Sequence, residues 1–101
     1  MELEEENRQT LYLVQAMLGM VTPNLRGVSI VFEPQIELHF VLERDSPIDR
    51  DEIEDAEFEF VAYQTHPVSV KTEIIVSISN EPMTDQLLPG RKVYMRREPG
   101  E

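Results

Sequence analysis

The 101-residue sequence contains no cysteine. A disulfide framework, a thiolate-bound zinc and a cysteine nucleophile are therefore excluded, and a reducing compartment is permitted. Glycine is scarce, with four in all and none between Gly27 and Gly90. Phosphate-cradling loops, calcium-binding loops and nucleophile elbows each need glycine at fixed offsets, so Ser29, Ser46, Ser69, Ser77 and Ser79 lack the setting of an activated serine. Only two histidines occur, His39 inside an alternating run and His66 before Pro67, and neither has a partner at ligand spacing. No metal and no cofactor are expected. Bases are few as well: nine lysines and arginines stand against twenty acids, a formal net charge of −11. Recognition of nucleic acid or an anionic membrane surface, where cations must meet phosphate, is disfavoured. Apolar runs fall far short of the roughly 20 residues that span a bilayer. The opening "MELEEENRQT" has neither the basic start nor the apolar stretch of a secretion signal. A soluble, cytoplasmic protein is the expectation.

What is present is enough to fold. Hydrophobic residues make up 41% and charged residues 29%, the balance of a globular chain. The length predicts a single domain over residues 1–101, with one modest core and little material for a deep enclosed site. In "NRQTLYLVQAMLGM", Leu11, Val14, Leu18 and Val21 recur at helical spacing, with Leu13, Met17 and Met20 beside them. This predicts a helix over about 6–20, preceded by acids that complement its dipole and closed by Gly19 and Pro23. "VSIVFE" places Val28, Ile30 and Phe32 on one face. "IELHFVLE" places Ile36, Leu38, Phe40 and Leu42 on one face. Alternation with a short connection predicts an antiparallel hairpin.

"RDSP" breaks the pattern, and Ser46 or Asp49 can cap a second helix over about 47–64 with Pro47 in its first turn. Ile53, Ala56, Phe60 and Tyr63 share one side of it, flanked by Phe58 and Val61. "AEFEFVAY" also alternates and reads alternatively as a strand. The acids at 49–55 favour the helix. "VSVKTEIIVSIS" alternates over 68–79 as the longest strand. "KVYMRRE" is a short last strand, with Val93 and Met95 on one face and Lys92, Tyr94 and Arg96 on the other. The tail "PGE" is expected to fray. The order α-β-β-α-β-β predicts an α+β two-layer sandwich: a four-stranded, mainly antiparallel sheet with two helices on one face.

The charge is unevenly placed. Residues 43–59 hold nine acids and two arginines, a local balance of −7. A solvated helix face explains such a cluster as simply as a site does. A catalytic carboxylate pair would need a cleft that separates two pKa values, and helix-surface acids in water have none. The acids suit attraction of a basic partner, which makes Asp49, Asp51, Glu52, Asp55 and Glu59 candidate partner-binding residues. At the other end Arg91, Lys92, Arg96 and Arg97 are four of the nine bases. They can neutralise nearby acids, at the first helix start or on the second helix. Alternatively, Tyr94 with Arg96 forms an exposed aromatic and arginine contact patch on a strand at the sheet edge.

The runs "LVQAMLGMVTPNLRGVSIVFE", "IELHFVLERDSPIDRDEIEDAEFEFVA" and "LPGRKVYMRRE" resemble small bacterial immunity proteins of polymorphic-toxin and contact-dependent growth inhibition systems. The resemblance is one of overall style across most of the chain, and no residue role carries over from it. It implies a cytoplasmic, non-enzymatic protein that binds and neutralises a cognate toxin domain, in many cases a nuclease with a basic cleft. A self-associating structural or regulatory module, monomer or weak homodimer when free, is the alternative. A small carboxylate hydrolase is a third reading.

Overall fold

The computed structural model describes residues 1–78 and 80–98. Ser79 and the "PGE" tail, residues 99–101, lie outside the described residues. The element order is α1 (Leu3–Ala16), β1 (Leu25–Val31), β2 (Ile36–Leu42), α2 (Pro47–Ala62), β3 (Val70–Val76) and β4 (Arg91–Met95). The expected order and the α+β class are observed, and residues 56–61 are helical. The expectation of a mainly antiparallel sheet is corrected. The sheet is mixed, in the order β3-β2-β1-β4: β1 pairs antiparallel with β2 and β4, while β2 and β3 run parallel. The physical reason is α2, which carries the chain back across the sheet as a crossover between β2 and β3, so β3 starts at the same end as β2.

Helix α1 starts three residues earlier than its apolar pattern suggests, because Glu4, Glu5 and Glu6 form a first turn favoured by the dipole. It stops at Ala16, short of Gly19, which sits at φ 86 where only glycine is unstrained. Its buried side is also displaced from the expected one. Gln9, Leu13, Ala16, Met17 and Met20 are buried, while Leu11, Val14, Leu18 and Val21 are 67%, 42%, 69% and 48% exposed. Gln9 is tolerated inside because it exchanges two 2.8 Å amide hydrogen bonds with Gln64, at the end of α2.

The core lies between the helices and one face of the sheet. Leu13, Met17 and Met20 meet Val28 and Ile30 of β1, Leu38 and Phe40 of β2, and Ile53, Ala56 and Phe60 of α2. The opposite face is covered in part by the connection from β3 to β4. Leu88 and Met83 approach so closely to Gly27 that a Cβ there would strike the Leu88 side chain. Arg26, the extra residue of a bulge between Leu25 and Gly27, is 1% exposed. It donates to the carbonyls of Ser77, Ile78 and Glu81 and to the Glu98 carboxylate.

A second bulge corrects the expected faces of β4. Tyr94 lies opposite Val28 and Lys92 opposite Ser29, so Val93 is the extra residue. Strict alternation fails there. Tyr94 turns to the helix side and packs on the core together with Val93, while Met95 is exposed on the other face.

Candidate functional site

Helix α2 is held by its first turn. Ser46 is the N-cap and its Oγ accepts from the Asp49 backbone N–H at 3.2 Å, with Pro47 following as the first helical residue. The Asp49 carboxylate accepts from Asn24 Nδ2 at 2.7 Å. The same amide donates to the Arg44 carbonyl at 2.9 Å and its oxygen accepts from the Arg44 N–H. Asp49 therefore ties α2 to the start of β1. Ile53, Ala56 and Phe60 recur at helical spacing and turn inward.

That anchoring fixes which residues face out. Asp51, Glu52, Glu54, Asp55 and Glu59 are exposed, and Glu57 is half-buried. Asp51, Asp55 and Glu59 follow one another at spacing four, one above the next along the helix. None of these six acids forms an ion pair with a described residue. Elsewhere most acids are engaged, although Glu2 and Glu4 at the start of α1 also form no ion pair with a described residue. Glu5 meets Arg8, Glu6 meets Arg91, Glu43 meets Arg96, Asp85 meets Lys92, and Glu98 meets both Arg26 and Arg96. Uncompensated negative charge is thus densest on α2, with six such acids. Among these acids stands Phe58, 77% exposed, and Ile48 at the helix start is 74% exposed. The apolar pattern predicts Phe58 at the flank of the buried side, and the structure corrects this. Its position, seven residues from Asp51 and three from Asp55, is the available signal that it shares their face.

The bases of the last strand are largely occupied. Arg91 donates to Asn7, Thr10 and Glu6 of α1 and lies 5.4 Å from the centroid of the Phe32 ring. Arg96 bonds Glu43 and Glu98 at 2.8 Å and the Pro23 carbonyl. Hydrogen bonding to Glu98, then to Glu43, raises its pKa against the opposing effect of burial. Strand β4 is a sheet edge, as expected. Tyr94 and Arg96 do not form one exposed patch: the aromatic faces the helices and the guanidinium is held by carboxylates.

Catalytic arrangements are weak by geometry. Ser29 and His39 are cross-strand neighbours, and His39 Nε2 is 2.9 Å from Glu37. Ser29 Oγ and His39 Nδ1 are buried without a hydrogen-bond partner, so no base activates the serine. Among the described residues no group of three histidines and acids is placed to hold a metal, and no helix is long and apolar enough to cross a membrane.

The family model described as MafI2 immunity protein matches residues 6–98, and the chain belongs to that family. No curated protein matches the chain.

Proposed function

We propose that this MafI2-family chain neutralises its cognate toxin by binding, without catalysis of its own, and that the outward face of α2 meets a basic surface of the toxin. One observation supports the reading above the others: six acids on α2 without a cation partner among the described residues, set around the exposed ring of Phe58. Like charges left together cost stability in the free protein, so a solvated face alone gives no reason to concentrate them. Opposite potential on a partner would speed encounter and orient it. The flat aromatic amid the charges suits an anchor that excludes water at the centre of a contact. A nuclease is the toxin class whose substrate cleft offers the matching positive potential. Asp51, Glu52, Asp55 and Glu59 are the contact acids in this reading. Asp49 anchors the start of α2 through Asn24, whereas Tyr94 packs on the core and Arg96 is held by Glu43 and Glu98, so neither of these two is a contact residue in this reading.

The test is affinity for the inactivated toxin domain encoded beside this chain, titrated over a range of salt. Charge reversal at Asp51, Glu52, Asp55 and Glu59 should weaken binding at least 100-fold and flatten its salt dependence. Unchanged affinity and slope would remove α2 from the interface.

A second reading has its own observation. Leu11 and Val14 of α1, with Leu18 and Val21 just beyond its end, leave exposed apolar side chains, and a shallow groove between this segment and β4 is lined by Val14, Leu18, Val93 and Tyr94. Self-association through these side chains would bury them. A free protein that sediments as a monomer at high micromolar concentration would end that reading.

A further inference from the structure

The sheet has two open edges, and they differ. β4 is five residues long and bulged, which is how proteins commonly blunt an edge. β3 is seven residues long, contains no proline, and pairs with β2 without a register shift from Ile36–Val70 to Leu42–Val76. The Ser77 N–H donates to the Leu42 carbonyl at 2.8 Å. Backbone groups alternate along a strand, so Lys71, Glu73 and Ile75 also turn theirs toward β2. The N–H and C=O of Val70, Thr72, Ile74 and Val76 therefore point away from the sheet, in pairs spaced roughly 7 Å apart. That is an unbroken template for another strand.

Beside this edge runs a groove of about 350 Å³ between α2 and β3, lined by Arg50, Ile53, Glu54, Glu57, Thr72 and Ile74. Its charge is negative in effect. The Arg50 guanidinium is drawn to Asp45 at 2.6 Å, and Glu54 and Glu57 have no cation partner among the described residues. Thr72 Oγ1 is buried there with no hydrogen-bond partner. Further along, Val76 and Ile78 are 41% and 53% exposed. On the far face of the strand, Lys71 and Glu73 close on each other at 2.9 Å and leave no net charge.

We infer that the β3 edge receives an extended, cationic segment of the toxin, which joins the sheet as a fifth strand with lysine or arginine side chains against Glu54 and Glu57. This rests on the reading of the chain as a toxin-binding protein with an acidic α2. It adds the conformation of the bound segment and the backbone that receives it. An added strand lies about 4.8 Å beyond β3, and every second side chain of it points to the helix side, into the groove. The free backbone of β3 supplies affinity, and the acids of α2 select a basic sequence.

Amide hydrogen exchange on the wild-type chain decides the matter, with and without the inactivated toxin domain encoded beside it. The amides of Val70, Thr72, Ile74 and Val76 should exchange at least tenfold more slowly in the complex. Unchanged exchange at all four in a saturated complex overturns strand addition. Thr72→Pro provides an independent arm: it removes an N–H that points outward and leaves the ladder to β2 intact. Binding should fall at least 100-fold, and Glu54→Lys with Glu57→Lys should cost tenfold or more. If Thr72→Pro binds as wild type while charge reversal at Asp51 and Asp55 abolishes binding, the acidic face stands and the fifth strand falls. If the exchange is unchanged and neither set of substitutions matters, both fall. Should Thr72→Pro not fold, wild-type exchange at the four amides suffices to uphold or overturn the fifth strand.

Discussion

Arg26 places a permanently charged guanidinium at 1% exposure, the largest side chain so deeply buried. Its donors are met by three carbonyls, the Ser77 hydroxyl at 3.3 Å and Glu98 at 2.8 Å, so one residue of β1 gathers the connection after β3 and the segment after β4. Removing the guanidinium leaves three inward carbonyls without their donor and Glu98 with one arginine partner fewer. Arg26→Met should therefore destabilise the protein by about 3–5 kcal/mol, read from urea unfolding. Glu98 gives a second handle. Burial acts to raise its pKa, but hydrogen bonds from Arg96 and Arg26 outweigh that, and the net shift is downward from the ordinary 4.5. The unfolded chain thus holds the proton more tightly than the folded one. The stabilisation is complete above pH 4.5 and is lost as pH falls through the lower folded value. Glu98→Gln should be less stable at neutral pH and should lose less stability than wild type on acidification below that point. Equal slopes would show that this carboxylate does not carry the acid sensitivity.

Within α2, what would stabilise the element opposes what the proposed toxin contact needs. Asp51, Asp55 and Glu59 are like charges at i, i+4, each such pair costing about 0.2–0.5 kcal/mol. Asp55→Lys turns both pairs favourable. It should raise stability by roughly 0.5–1.5 kcal/mol by thermal or urea unfolding while weakening toxin binding. A variant no more stable than wild type would show that repulsion is already screened. The acids, their spacing and the helix that carries them were legible in the sequence, because period and capping are local properties. Their lack of counter-ions was not legible, since that depends on where nine bases end up. Arg91 finds Glu6 across 85 positions, and Arg96 finds Glu43 across 53. The buried side of α1 was hidden for a related reason. Gln9 interrupts the run that Leu13, Ala16 and Met20 continue, and only its pairing with Gln64, 55 residues away, makes it a core residue. The parallel β2–β3 pairing and the β4 bulge are likewise long-range choices, and the bulge moved Tyr94 to the helix side.

At the scale of the whole molecule the two surfaces predict opposite responses to salt. The chain carries a net charge of −11, so any two copies repel before their apolar stripes can meet. Screening shortens the reach of that repulsion from about 10 Å at 0.1 M salt to about 3 Å at 1 M. Association of copies through Leu11, Val14, Leu18 and Val21 would therefore strengthen with salt, since burial of apolar side chains is not itself weakened by it. The proposed attraction between α2 and a basic toxin would be screened by the same ions and weaken, chiefly through a slower on-rate. Measured on one preparation, toxin association at about 1 M salt should be at least tenfold slower than at about 0.05 M, while the sedimentation coefficient of the free chain stays constant or rises. Leu18→Glu should leave the toxin on-rate unaffected and abolish any salt-induced rise in sedimentation. A toxin on-rate that does not respond to salt would mean that the acids of α2 do not steer the encounter. The contact would then have to lie on a face where the charges are already paired, and the apolar side of α1 would be the surface to examine next.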